Sequence, residues 1–321
     1  MNTPRGGDAS GTLVHHALIY DTDEQFLAST LPFCLKGLGK GDAVLAVTNP
    51  ANIALLREAL GEAAERVEFV EAADWYRTPG LTLAAYHRYV EERAGDHARI
   101  RIIGEPVWDG LDETETGQWT RYEAVINRAF ADSPAWIVCP YDTRVLPIAV
   151  VADARRTHPD LMYDGSALPS PNYLPPDAGQ SVWERYPKPP PPGVRTSRMD
   201  FGSDLSAVRG FTAARAIEFG LAPESVDRLV FAVNEVASNA IRHGGGERSL
   251  ALWLDGRRVV CDVTDTGGAS PAWYSGCLPP NPGQAAGHGM WVIRQLCDLV
   301  EVHSLDPGTL VRIQLDLRKA P

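Results

Sequence analysis

The run Tyr186-Pro187-Lys188-Pro189-Pro190-Pro191-Pro192-Gly193 constrains this chain more than any other stretch. Consecutive prolines fix φ and remove backbone donors, so neither a helix interior nor a central strand passes through them. The segment favours an extended polyproline conformation and separates domains as a semi-rigid spacer. A second Pro-rich, loop-like stretch, Leu168 to Asp177, leads up to it. With 321 residues the chain is too long for one ordinary core, so a domain is expected on each side. The boundaries fall at 12–185 and 197–321, with the linker at 186–196.

The two halves differ in rhythm. In the first, short β-branched runs at His16–Tyr20, Ala43–Thr48, Val67–Glu71, Arg99–Gly104 and Ala135–Tyr141 alternate with amphipathic stretches. The expected helices are Glu24–Leu38, Ala51–Leu60, Leu81–Ala94, Thr116–Ala131 and Pro147–Arg156. Repeated βα units with continuously apolar strands argue for a three-layer α/β domain around a mainly parallel sheet. In the second half, helices Leu205–Phe219 and Pro223–Arg242 come first. Strands Leu250–Leu254 and Arg258–Thr264 then flank Asp255-Gly256, a strong hairpin signal. A Gly/Pro-rich loop, Gly267–His288, precedes a helix at Gly289–Asp298 and strands Val300–Ser304 and Thr309–Leu317. That order predicts an α+β two-layer sandwich, with helices on one face of a largely antiparallel sheet.

Composition narrows the classes of partner. At 44% hydrophobic and 22% charged residues the chain is globular, not disordered. A formal charge of −11 argues against a nucleic-acid backbone as main partner. No apolar run approaches a membrane span, and Met1 to Gly11 is polar, without a signal-peptide core. The five cysteines are scattered, with no C-x-x-C pair, so reduced thiols and a cytoplasmic location are expected. Structural zinc is not expected. The eight histidines show no ligand spacing, and His15-His16 open a strand with side chains on opposite faces.

The stretch Asn234-Glu235-Val236-Ala237-Ser238-Asn239-Ala240-Ile241-Arg242-His243-Gly244 carries the chemistry. Val226, Leu229, Val230, Val233, Ala237, Ala240 and Ile241 recur at helical spacing and form a buried stripe. A four-residue step rotates only about 40°, so Glu235, Asn239 and His243 share a second, polar face. Alone, such a face fits a solvated surface as well as a site. Three further features follow in order: Asp265-Thr266-Gly267-Gly268 ends a strand, Gly287-His288-Gly289 opens a helix, and Gly308-Thr309 begins the last strand. Free N–H groups at a helix start favour anions such as phosphate.

The order E-x3-N, D-x-G-G, G-x-G, G-T resembles the Bergerat ATP-binding fold of the GHKL superfamily, which includes gyrase, histidine kinases and MutL. Within it, the short length and the Asn239-Ala240-x-x-His243-Gly244 ending most resemble the RsbW-like anti-sigma-factor serine kinases. The resemblance implies ATP and Mg²⁺ as cofactors, with Asn239 as Mg²⁺ ligand and Glu235 as general base toward a serine hydroxyl. It implies that Asp265 accepts the adenine amine, with Thr309 in support, and that Gly267 keeps the base pocket open. It further implies that Gly287 and Gly289 present N–H groups to the phosphates and that Gly267–His288 is the lid. His243 reads as a helix-end residue favoured by the dipole.

In the first half, Gly37-Leu38-Gly39-Lys40-Gly41-Asp42 is not a P-loop. No Ser or Thr follows Lys40, and the stretch ends a helix instead of opening one. Together with His15-His16-Ala17-Leu18-Ile19-Tyr20, Gly104-Glu105-Pro106 and Trp119-x-x-Tyr122-Glu123, it resembles the MEDS (DcmR-type) sensory domain over about 12–165. That family implies a RecA-related fold that senses small molecules. His15, His16, Glu105 and Trp108 are the candidate pocket residues, with packing or capping roles equally open.

These readings imply an ATP·Mg-binding anti-sigma regulator. It would sequester a sigma factor or phosphorylate an anti-anti-sigma (STAS-type) partner on serine, as a protein serine/threonine kinase. A partner switch that holds ATP without turnover is the alternative. A sensor histidine kinase is disfavoured because Leu205–Phe219 lacks a phosphorylatable histidine, and a gyrase- or MutL-like ATPase lacks a transducer domain after Thr309–Leu317. A homodimer remains open.

Overall fold

The computed structural model describes residues 11–178, 187–268, 271–280 and 288–317. They form two compact units that divide at residue 178/179 except for a short excursion at Thr78–Gly80. The first unit runs β1 (Val14–Tyr20), α1 (Asp23–Lys40), β2 (Ala43–Thr48), α2 (Pro50–Leu60), β3 (Glu68–Glu71), α3 (Ala72–Trp75) and α4 (Pro79–Arg93). It continues with β4 (Ile100–Gly104), α5 (Glu113–Ala129), β5 (Ala135–Asp142), α6 (Ile148–Thr157), β6 (Asp160–Tyr163) and β7 (Ser166–Pro169). The sheet order is β3-β2-β4-β5-β1-β6-β7. Every pair is parallel except β6–β7. That last pair closes through Asp164-Gly165, both at positive φ (45° and 73°), a two-residue hairpin turn.

Helices cover both faces. Leu18, Val44, Ala46, Ile103 and Val138 point into one core with Phe26, Phe33, Cys34 and Leu38 of α1 and Leu56 and Leu60 of α2. The alternate residues of the same strands, among them His15 and Cys139, face α5 and α6. Helix starts follow from local chemistry. Thr22 caps α1, Asn49 caps α2 ahead of Pro50, and Asp112 with Glu115 forms a capping box on α5.

On α4, His87 stacks on Phe130 with centroids 4.3 Å apart. Burial lowers its pKa from 6.5 to about 4. The folded value lies below the unfolded one, so this stabilisation is complete above pH 6.5 and is lost as pH falls toward 4. Charging that ring in place costs up to about 3 kcal/mol. Urea midpoints at pH 7 and pH 4.5 check this: the loss on acidification is expected to be smaller in His87→Phe than in the parent chain. An equal loss in both removes His87 from the account.

The second unit runs β8 (Ser197–Asp200), α7 (Leu205–Glu218), α8 (Pro223–Arg242), β9 (Arg248–Asp255), β10 (Arg258–Asp265), α9 (His288–Leu296), β11 (Leu299–Leu305) and β12 (Gly308–Asp316). The sheet, β11-β12-β10-β9-β8, is antiparallel throughout. Leu250, Leu252, Val259, Cys261, Val263, Val302, Val311, Ile313 and Leu315 build one face and share a single core with the helices. Into it α8 inserts Val226, Leu229, Ala232, Val233, Val236, Ala237 and Ala240. The opposite face carries the Asp262–Arg312 pair at 2.7 Å, and Arg312 Nη1 also donates to the Lys188 carbonyl of the proline segment. The fold classes read from the sequence are those observed: a mostly parallel sheet between helices, then helices over an antiparallel sheet.

Candidate functional site

In the second unit, α8 lies across β10 and β12. Cross-strand register sets Asp265 beside Thr309, and two residues inward Val263 beside Val311. Both pairs face α8 and border a cavity of about 180 Å³. Val236, Asn239 and Ala240 supply its helical wall, Met290 of α9 another side, and Pro271 and Ser275 its cover. The cavity is therefore an apolar slot with a buried carboxylate and hydroxyl at its floor and an amide on its rim.

Asp265 is held in place by the loop that follows it. Its Oδ1 accepts the Gly267 N–H at 2.9 Å. Gly267 lies so close to Gly244 and Gly245 that any Cβ there would collide with the Gly245 nitrogen. The first turn of α9 sits against Glu235, since a Cβ at Gly289 would stand 3.0 Å from Glu235 Oε2. Glu235 is half-buried and lies outside the cavity lining, whereas Asn239 is part of it. Arg242 Nη2 donates to Asn239 Oδ1 at 2.7 Å, a contact with no sequence signal beyond the i, i+3 spacing. His243 is the C-cap of α8, its N–H bonded to the Asn239 carbonyl at 2.8 Å, and it borders the cavity from an exposed position.

Gly287 and parts of the loop Gly267–His288 lie outside the described residues. The described stretch 271–280 is pinned from α9. Arg294 donates to the carbonyls of Ser275 (2.8 Å), Trp273 (3.2 Å) and Val300 (2.8 Å).

The four candidates of the first unit do not converge. Glu105 accepts hydrogen bonds from Thr48 Oγ1, from Asn49 Nδ2 (3.1 Å) and from Asn52 Nδ2 (3.0 Å), which ties β2 and the start of α2 to the end of β4. Trp108 packs near Tyr141, with centroids 6.2 Å apart. His16 sits edge-on to Trp136 on the α1 face, and burial lowers its pKa to about 3. His15, on the opposite face, joins three residues absent from the sequence-level set: Glu123, Cys139 and His158. Burial first, then the neighbouring His158, lowers the His15 pKa to about 4. Burial pulls the Glu123 carboxyl up, but the neighbouring His15 and His158 rings outweigh it and hold it low. The Cys139 thiol is pushed well up, by burial and then by Glu123.

Helices over one face of an antiparallel sheet are the arrangement of the GHKL fold. Consistently, residues 202–315 match the family model of the histidine kinase-like ATPase domain. Residues 14–159 match that of MEDS, the methanogen/methylotroph, DcmR sensory domain. The chain thus joins a MEDS domain to a histidine kinase-like ATPase domain. Similar solved structures include the RsbU and RsbW domains of Rv1364c from Mycobacterium tuberculosis, at 19% identity, 39% of this chain, 34% of that chain and TM-score 0.30. Another is the Acinetobacter baumannii histidine kinase AdeS, at 13% identity, 44% of this chain, 72% of that chain and TM-score 0.25. The chain spans about a third of the length of the first of these, 34%. No curated protein matches it. Among the described residues, no helix is long and apolar enough to cross a membrane.

Proposed function

We propose that this chain is a regulatory protein whose C-terminal domain binds ATP·Mg²⁺ and acts on a protein partner in sigma-factor control. It either sequesters a sigma factor or phosphorylates an anti-anti-sigma protein on serine, under the influence of the MEDS domain. The observation that carries the reading is the cross-strand pairing of Asp265 with Thr309 beneath Asn239 around a cavity of about 180 Å³. The groups fit the ligand. A flat, weakly polar base suits walls of Val236, Ala240, Val302, Val311 and Met290, with an acceptor and a hydroxyl at the closed end. Asn239 would supply an oxygen ligand for Mg²⁺, and Gly289, with Gly287 before it, would offer N–H groups to phosphates. Bound Mg²⁺ supplies charge neutralisation at the phosphates. Arg242, which donates to Asn239 Oδ1, would have to release that oxygen for it to serve as a cation ligand. Glu235, held against the first turn of α9, accepts the proton of an incoming serine hydroxyl.

Labelled ATP mixed with purified STAS-type anti-anti-sigma proteins tests the kinase half. The expected result is transfer to serine that falls by roughly 100-fold or more in Glu235→Gln, with nucleotide affinity unchanged. No transfer by the parent chain, or transfer that Glu235→Gln leaves intact, sinks it. A second reading, ATP held without turnover as a conformational switch, is favoured by the placement of Glu235 outside the cavity lining. Tight nucleotide binding with no product selects it.

A further inference from the structure

We propose that His15, Glu123, Cys139 and His158 hold one divalent transition cation of the zinc type, buried within the MEDS domain. The four side chains come from β1, α5, β5 and the residue that ends α6. Parallel pairing of β1 with β5 places Ala17 opposite Cys139 and brings His15 within reach of it. All four are buried, and their ligand atoms lie within 4.8 Å of one another. His15 Nε2 is 3.5 Å from Cys139 Sγ and 3.6 Å from Glu123 Oε2. Glu123 Oε2 is 3.6 Å from Cys139 Sγ and 3.4 Å from His158 Nε2. Tetrahedral Zn²⁺ with its usual bond lengths sets its nitrogen, oxygen and sulfur ligands roughly 3.3–3.6 Å apart.

The proton inventory gives an independent argument. Asn127 Nδ2 donates to the carbonyls of Thr157 (2.7 Å) and Ala124 (3.3 Å), which turns its Oδ1 to His15 Nδ1 at 3.0 Å. His15 Nδ1 therefore carries a proton and donates. His158 Nδ1 lies 2.8 Å from the Ala154 carbonyl, an acceptor only, so it donates too. In the neutral rings both Nε2 lone pairs then face the Glu123 carboxylate. Three acceptors converge on one weak donor, the Cys139 thiol. His158 Nε2 and Glu123 Oε1 are buried with no hydrogen-bond partner. Such a cage is costly when empty and favourable around a cation. Imidazoles oriented by their far nitrogens onto carbonyl and amide oxygens are the usual second layer of metal sites.

On binding, the Cys139 S–H bond breaks, its electron pair goes to the metal, and one proton leaves to solvent. Two neutral imidazoles, a carboxylate and a thiolate then balance the double charge. With four protein ligands and no open position, the site is structural or sensory, not catalytic.

The full-length chain, stripped with a chelator and titrated with Zn²⁺ or Co²⁺ alone, tests the proposal. The expected result is one tightly bound equivalent per chain, about one proton released and a raised unfolding temperature. Co²⁺ is expected to give a thiolate charge-transfer band and tetrahedral visible bands. Cys139→Ser loses the charge-transfer band, and His158→Ala lowers affinity at least 10-fold. Since either variant may fail to fold, the stripped parent chain serves as the second measure. Less than a tenth of an equivalent taken up by it, or a Co²⁺ spectrum without the thiolate band, overturns the proposal. So does a cation retained undiminished in Cys139→Ser, or a cage that takes up only a proton as pH falls.

Discussion

Asp265→Asn is expected to weaken ATP binding by about two orders of magnitude while leaving the domain folded. The reasoning rests on one hydrogen bond. Asp265 Oδ1 accepts the Gly267 N–H at 2.9 Å, and the loop cannot shift, because Gly267 lies directly on the Gly244–Gly245 backbone. In the variant the amide oxygen keeps that bond, so the amide nitrogen must take the position of the other carboxylate oxygen. An acceptor in the cavity becomes a donor. An adenine amine then meets a donor where it needs an acceptor, losing a charge-assisted bond and leaving two donors opposed, a cost of about 2–4 kcal/mol. That corresponds to roughly 30- to 1,000-fold in Kd. Calorimetric titration reads it directly. The same reversal predicts a change of preference: a base with a carbonyl in place of the amine, as in ITP, is expected to gain relative to ATP. A Kd within threefold of the parent chain, with no shift toward ITP, would remove Asp265 from the base pocket.

Asp265 stands out in the sequence as a candidate because it ends an apolar strand and Thr266-Gly267-Gly268 follows it, whereas its register beside Thr309 is visible only in the sheet. Helix α8 was equally legible: its apolar stripe is long and strongly periodic, and Pro223 marks its start. Of the four-residue strands, β3 is legible within Val67–Glu71, whereas β6, β7 and β8 carry too little apolar periodicity. β8 forms by backbone pairing with β9, and the Asp164-Gly165 turn is the one local hairpin signal at β6–β7. The buried cluster was hidden for a different reason. Its ligands, at positions 15, 123, 139 and 158, have no ligand spacing along the chain, and a parallel sheet with crossover helices alone brings them together. The Arg242 contact to Asn239 depends on a rotamer, which no pattern encodes.

The glycine-rich stretch Gly37 to Asp42 gives the second large effect. Arg101 on β4 is buried, with Nε 2.7 Å from Asp42 Oδ2 and Nη1 3.0 Å from the Phe33 carbonyl. Its guanidinium lies 4.6 Å from the Trp136 ring centre. Gly37 makes room for it: a Cβ there would stand 2.5 Å from Arg101 Cδ. Gly41, at φ 79°, ends α1 in the left-handed region and turns Asp42 back toward the arginine. What looks like a phosphate loop is the seat of a buried ion pair. Arg101→Leu leaves the Asp42 carboxylate buried and unpaired, which is expected to cost about 3–5 kcal/mol. Against a domain stability of roughly 5–15 kcal/mol, that removes much of the margin. Leucine at both positions restores an apolar contact and is expected to recover most of the loss, because the penalty lies in the orphaned charge and not in the missing attraction. Denaturant unfolding of the two variants decides it. If Arg101→Leu costs less than about 1 kcal/mol, or the double variant is no more stable than the single one, the pair does not anchor this domain.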